Sequence, residues 1–144
     1  NLFENVRNNN LGLNTFAFPK KLMAGMSGHP GWEFIVLTLK GAYTRDKKDR
    51  TVGVMFCYKN GQKTYVPAFV GMDYNYAHEH QVYRQLLYQT VKRAGETRFQ
   101  HIDFGMTAGF EKKKIGATIT QKTAYIQAKD NFSMELMGMM EKQK

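Results

Sequence analysis

The sequence predicts an α+β domain, a mixed α/β layer in which a mostly antiparallel sheet carries one parallel step and helices on both faces. Three observations carry this. Residues 51–70 read as a hairpin, because Val52, Val54, Phe56 and Tyr58 alternate before Asn60-Gly61 and a second β-rich run follows. Residues 78–94 read as an amphipathic helix, with Val82, Tyr83, Leu86, Leu87, Thr90, Val91 and Ala94 recurring at three and four. Residues 98–104 then alternate as a strand, and a helix between two strands makes a crossover that joins parallel neighbours.

The other elements follow in chain order. Residues 1–17, Asn-rich at first, read as a linker or frayed entry. Phe18-Pro19 opens a short helix to about Met26, since proline suits a first helical turn. Residues 27–31 (SGHPG) form a loop, and residues 32–39 (WEFIVLTL) a strand. The mixed-charge run 45–50 (RDKKDR) is a solvated loop. Pro67 lacks a backbone donor, so the returning hairpin strand is a sheet edge there or carries a bulge that opens the sheet. Residues 71–77 (GMDYNYA) form a loop, and Gly95 ends the long helix. Thr107 caps a short helix reaching Ile115. Residues 117–128 form a closing strand, and Phe132, Leu136, Met139 and Met140 mark a last amphipathic helix.

At 144 residues the chain suits one domain over residues 1–144, able to bury enough surface without staples. Its single cysteine, Cys57, excludes an internal disulfide and fits a reducing, cytoplasmic setting. No window approaches the roughly 20 apolar residues of a membrane span. The formal charge of +9 favours anionic partners: nucleic acid, acidic membrane or phosphate-rich cofactors.

Few residues point to chemistry by themselves. His78 and His80 diverge on a helix, and one cysteine makes a poor zinc set, so no metal site is expected. Cys57 sits mid-strand, where a buried inert thiol is usual. The stretch 99–117 (FQHIDFGMTAGFEKKKIGA) says more. Alternation puts His101, Asp103 and Gly105 on one face and Gln100, Ile102 and Phe104 on the other. His101 and Asp103 are then neighbours on one face, a polar pair for a cleft. Each also reads alone as an ordinary hydrogen-bonded residue, Asp103 as the cap of the next helix. A strand ending in glycine beside a helix carrying Lys112, Lys113 and Lys114 suits a phosphate-bearing ligand, although such triplets usually face solvent.

The helix VYRQLL at 82–87, the strand end IDFG at 102–105 and the K-x-x-I-G-A pattern at 112–117 together resemble the GNAT acyltransferase superfamily. They resemble in particular its branch of FemABX-like and BioF2-like acetyltransferase domains. The resemblance runs over roughly the last two-thirds of the chain. It implies an N-acyltransferase with acyl-CoA as co-substrate, no metal, and a small-molecule or peptide amine as acceptor. The donor arm would lie between two splayed parallel strands, and the backbone at Phe69, Val70 and Gly71 would polarise the thioester carbonyl. A helix start near Tyr76 would face the pyrophosphate, with Lys112 adding charge. Asp103, His101 or a water would take the amine proton. The usual Q/R-x-x-G-x-G/A signature is replaced by GMDYNY at 71–76, which has one glycine. FemABX-like proteins also lack it; they use aminoacyl-tRNA and resemble two such domains in tandem. The resemblance therefore leaves open a tRNA donor and a missing N-terminal partner domain. A basic RNA- or protein-binding module without catalysis stands as the other alternative.

Overall fold

A computed structural model describes residues 2–9 and 17–123. Helix α1 (Leu2–Asn9) and helix α2 (Lys20–Ser27) precede strand β1 (Trp32–Leu39). A single 3-10 turn at Gly41–Tyr43 leads to strands β2 (Arg50–Asn60) and β3 (Thr64–Met72). Then come helix α3 (Tyr74–Ala77), helix α4 (Val82–Glu96), strand β4 (His101–Ile102) and helix α5 (Gly109–Lys114). The strands form one sheet in the order β1-β2-β3-β4, antiparallel except for the parallel β3–β4 pair.

The sheet has two different faces because its strands alternate. On one face Val52, Met55, Cys57, Tyr65 and Met72 are buried with Val82, Leu86, Leu87 and Ala94 of α4. Leu86 and Leu87 are essentially inaccessible, and full burial of such a side chain contributes about 1.5–3 kcal/mol. On the other face Trp32, Phe34, Phe56 and Phe69 form an aromatic layer. Phe3 of α1 packs into it, with ring centroids 5.8 Å from Phe69 and 6.3 Å from Phe56.

Residues 2–9 were expected as linker or frayed entry and are instead this packed helix. Leu2, Phe3 and Val6 recur at three and four along it, enough to bury one side against the sheet. The hairpin stands where expected, but Asn60 pairs with Thr64, so the turn is the three residues 61–63 with Gly61 at φ 60°. The expected irregularity at Pro67 is a bulge. Cys57 faces Pro67 and Phe56 faces Phe69, which leaves Ala68 as the extra residue.

Helix α4 starts at Val82 rather than His78 and passes through Gly95 to Glu96. Its end is a Schellman arrangement in which Phe99 N–H donates to Ala94 O and Arg98 N–H to Gly95 O. Arg98, at φ 60°, takes the left-handed position usually given to glycine. The strand expected over 98–104 is regular only at His101–Ile102. Thr107 caps nothing: it lies at φ 67°, and Ala108 immediately precedes α5. Residues 117–123 form no strand. The rest of that expected strand and the last helix lie outside the described residues.

Candidate active site

The parallel pair β3–β4 closes over a very short length and then parts. Thr64 faces His101 and Tyr65 faces Ile102. Lys63 O accepts the His101 N–H, and Tyr65 O accepts the Asp103 N–H at 3.0 Å. In a parallel ladder the next two rungs would join the N–H of residue 67 to the Asp103 carbonyl and the Gly105 N–H to the carbonyl of residue 67. The first fails because residue 67 is proline. The second is diverted: Gly105 N–H donates to Asp103 Oδ1 at 2.9 Å, in a tight turn with Gly105 at φ 64°. The sequence thus opens a fork between the two strands by one missing donor and one captured donor.

The three backbone positions implied at the donor carbonyl, Phe69, Val70 and Gly71, differ in where their N–H groups lie. Asp73 N–H donates to Val52 O of β2. By alternation Gly71 and Phe69 also turn their N–H toward β2, while Val70 and Met72 turn theirs to the open edge. Met72 O on that edge accepts from Asn5 Nδ2 of α1 at 3.2 Å. Alternation thus leaves Val70 N–H on the edge away from β2, whereas Phe69 contributes its ring to the aromatic layer. Gly71 lies against α1, since a Cβ there would come within 2.7 Å of Phe3 N.

His101 and Asp103 are both exposed and alternate with the partly buried Ile102 and Phe104. Asp103 sits where the fork opens. His101 sits at the closed end, paired with Thr64. Tyr76 is buried in the core and stacks on His80 with centroids 6.1 Å apart. The amide end of the long helix lies at Val82, preceded by Gln81 in the left-handed region. Asp73 places a carboxylate at the start of α3, accepting from Asn75 N–H at 3.1 Å and Asn75 Nδ2 at 2.9 Å.

Lys112 is neither on a solvated face nor aimed at open space. It is buried, and its ammonium donates to Phe104 O at 2.6 Å, Met106 O at 2.8 Å and, more weakly, Gly105 O at 3.4 Å. Burial lowers its pKa, partly offset by the nearby Asp103 carboxylate. Lys114 meets Glu111 at 3.0 Å and lies over the Phe110 ring.

One polar cluster at this site was not legible from spacing. Glu33 of β1 accepts two hydrogen bonds from Arg93 of α4, both 3.0 Å, and one from the Tyr65 hydroxyl, with Lys59 3.8 Å away. Arg93 foremost holds the Glu33 carboxyl below its ordinary range, against the upward push of burial. Burial pushes the Tyr65 phenol upward and the neighbouring Cys57 thiol up to about 11, so the thiol is not a nucleophile at neutral pH. The cluster pins Tyr65, the residue at which the fork begins. Residues 33, 65 and 93 are far apart in sequence, and no local pattern connects them.

A sequence comparison with known families matches residues 8–113 to the acetyltransferase (GNAT) domain. Neither the curated proteins nor the solved structures contain a match. The matched span covers well over half of the chain and contains the hairpin, the crossover helix, the fork and most of α5. The chain belongs to the GNAT acetyltransferase domain family, a fold that serves N-acetyltransferase chemistry.

Proposed function

We propose that this domain transfers an acyl group from acyl-CoA to a primary amine by direct attack, with the fork between β3 and β4 as the donor cleft. The observation that carries this reading is the early end of the β3–β4 ladder, which leaves strand edge open beyond Tyr65. A pantetheine-like arm with amide groups suits such an edge, because it can take up the unused backbone groups. Val70 N–H would face the thioester carbonyl oxygen and stabilise the negative charge that develops there. The neutral amine nitrogen would form a bond to the carbonyl carbon, the C–S bond would break, and the thiolate would leave. Asp103 at the fork mouth would take the amine proton, directly or through water. His101, at the closed end, is the weaker candidate for that role. The acceptor is a small-molecule or peptide amine in this reading.

The residues fit the arm of the donor better than its pyrophosphate. A pyrophosphate needs free N–H groups at a helix start, and residues 71–76 offer one glycine and the carboxylate of Asp73. That feature favours a second reading, the FemABX-like branch, with an aminoacyl-tRNA donor and a second GNAT-like unit elsewhere in the protein. Among the described residues no helix is long and apolar enough to cross a membrane.

Calorimetric titration with acetyl-CoA, CoA and an aminoacyl-tRNA separates the readings. Binding of acetyl-CoA, with CoA release when a panel of primary amines is added, supports the first. Binding of aminoacyl-tRNA alone supports the second. Binding of deacylated and aminoacylated RNA alike, without turnover, would leave a binding module.

A further inference from the structure

We infer that Lys112 is a positioning residue that holds the segment following β4, the wall of the fork that bears Asp103, and does not itself contact the phosphates of a donor. The inference rests on the acyl-CoA reading only for its ligand; its geometry stands independently. An ammonium group has three N–H donors, and here they are directed at three consecutive backbone carbonyls, those of Phe104, Gly105 and Met106. The group is buried, so little of its charge is presented to solvent or to a ligand.

The segment it holds has reason to need holding. Gly105, Thr107 and Ala108 all lie at positive φ, two of them consecutive non-glycine residues. Such conformations persist only when the surroundings impose them. The same segment begins at Asp103, which ends the parallel ladder and captures the Gly105 N–H. The lysine is itself anchored, because its neighbour Glu111 binds Arg84 of α4 through two hydrogen bonds of 2.7 and 3.2 Å. Helix α4 packs into the sheet core. A chain of contacts therefore runs from α4 through Glu111 and Lys112 to the strand exit that bears Asp103. Replacing a compact ammonium with a planar guanidinium would not reproduce three converging donors.

The test compares Lys112→Ala and Lys112→Arg with the unaltered chain by two measurements. The first is native-state amide exchange. Positioning predicts exchange at Asp103 and Gly105, the hydrogen-bonded amides of the segment, at least about tenfold faster in both variants, the scale of one lost hydrogen bond, with α4 and β2 unchanged. It also predicts that methylammonium, which can re-enter the vacated site, slows that exchange in Lys112→Ala. Unchanged exchange at Asp103 and Gly105, or acceleration spread evenly over the chain, overturns the proposal. The second is acetyl-CoA titration at about 50 and 500 mM salt. Positioning predicts the same loss of affinity at both, with arginine no better than alanine. A loss that shrinks at high salt and is rescued by arginine is the signature of direct phosphate contact, and it overturns the proposal. If the unaltered chain binds no acetyl-CoA, the acyl-CoA reading falls and amide exchange alone decides the role of Lys112. Should the alanine variant not fold, Lys112→Met keeps the buried stem without the charge and takes its place.

Discussion

The amide of Asp103 donates to the carbonyl of Tyr65, and both residues are anchored by further hydrogen bonds. Tyr65 is inaccessible to solvent, and its hydroxyl is tied to Glu33. Asp103 spends its own carboxylate on Gly105 N–H, and the carbonyls that follow it are held by Lys112. The last rung of the parallel ladder therefore joins two anchored walls. In the proposed acyltransferase reading that matters, because a donor cleft between strands is useful only if it neither zips shut nor drifts apart.

Pro67→Ala tests whether the missing donor keeps the fork open. The variant gains an N–H at the position where a parallel ladder would place its next rung to the Asp103 carbonyl. A new hydrogen bond contributes roughly 0.5–1.5 kcal/mol. Loss of proline rigidity costs about 0.4–1 kcal/mol, so stability should change by less than about 1 kcal/mol. Acetyl-CoA affinity should nevertheless fall several-fold. Slow amide exchange at residue 67 would show the rung formed; fast exchange with unchanged affinity would refute the account.

Asp103 holds the Gly105 turn and, in the proposed reading, also takes the amine proton; two substitutions divide these roles. Asp103→Asn keeps an Oδ1 acceptor for Gly105 N–H but removes the base. It should bind acetyl-CoA normally and lose turnover, by about 10²–10⁴-fold for a general base. Asp103→Ala removes both and should weaken binding as well. Equal turnover in the asparagine variant and the unaltered chain would move the base to His101 or to water.

Elements with a local signature were legible in the sequence. The hairpin, the crossover helix and the parallel step each follow from spacing, and Pro67 marked an irregularity, read as edge or bulge, that is a bulge. Boundaries set by tertiary contact were not. Residues 2–9 looked like a tail because asparagines dilute their apolar spacing, yet Phe3 found an aromatic layer assembled from β1, β2 and β3. Lys112 looked like one of three surface lysines, and only the fold turned it inward while Lys113 and Lys114 stayed exposed. Glu33, Arg93 and Tyr65 meet only once α4 crosses the sheet.

The placement of α1 predicts an effect at a position distant in sequence. A Cβ on Gly71 would lie 2.7 Å from Phe3 N and 2.8 Å from Leu2 C, both backbone atoms that cannot rotate away. Gly71→Ala should therefore displace α1 and destabilise the fold by about 1–3 kcal/mol, the usual cost of overpacking. Amide exchange in residues 2–9 should rise most. A variant in which those amides are as protected as before would mean that α1 docks elsewhere in solution.

Glu33→Gln probes the pin on Tyr65 and carries a pH signature. The Glu33 carboxyl lies below its ordinary value of 4.5 in the folded protein, chiefly through Arg93. Its contribution to stability is complete above that ordinary value and disappears as the pH falls through the lower folded value. Glu33 is mostly covered but Arg93 is about half exposed, so the pair is screened on one side. At pH 7 the variant should be less stable by about 1–2 kcal/mol, below the cost of breaking a fully buried pair. As the pH drops below about 4.5 the unaltered chain loses this contribution and the variant has none to lose, so the two stabilities converge. Glu111, held at about 2 by Arg84 and Lys114, titrates in the same acid range but in both proteins, so it cancels from the difference. Urea unfolding at pH 7, 5, 4 and 3 measures the gap directly. A gap that stays constant across that range would mean that glutamine loses packing or hydrogen bonding at this position rather than charge.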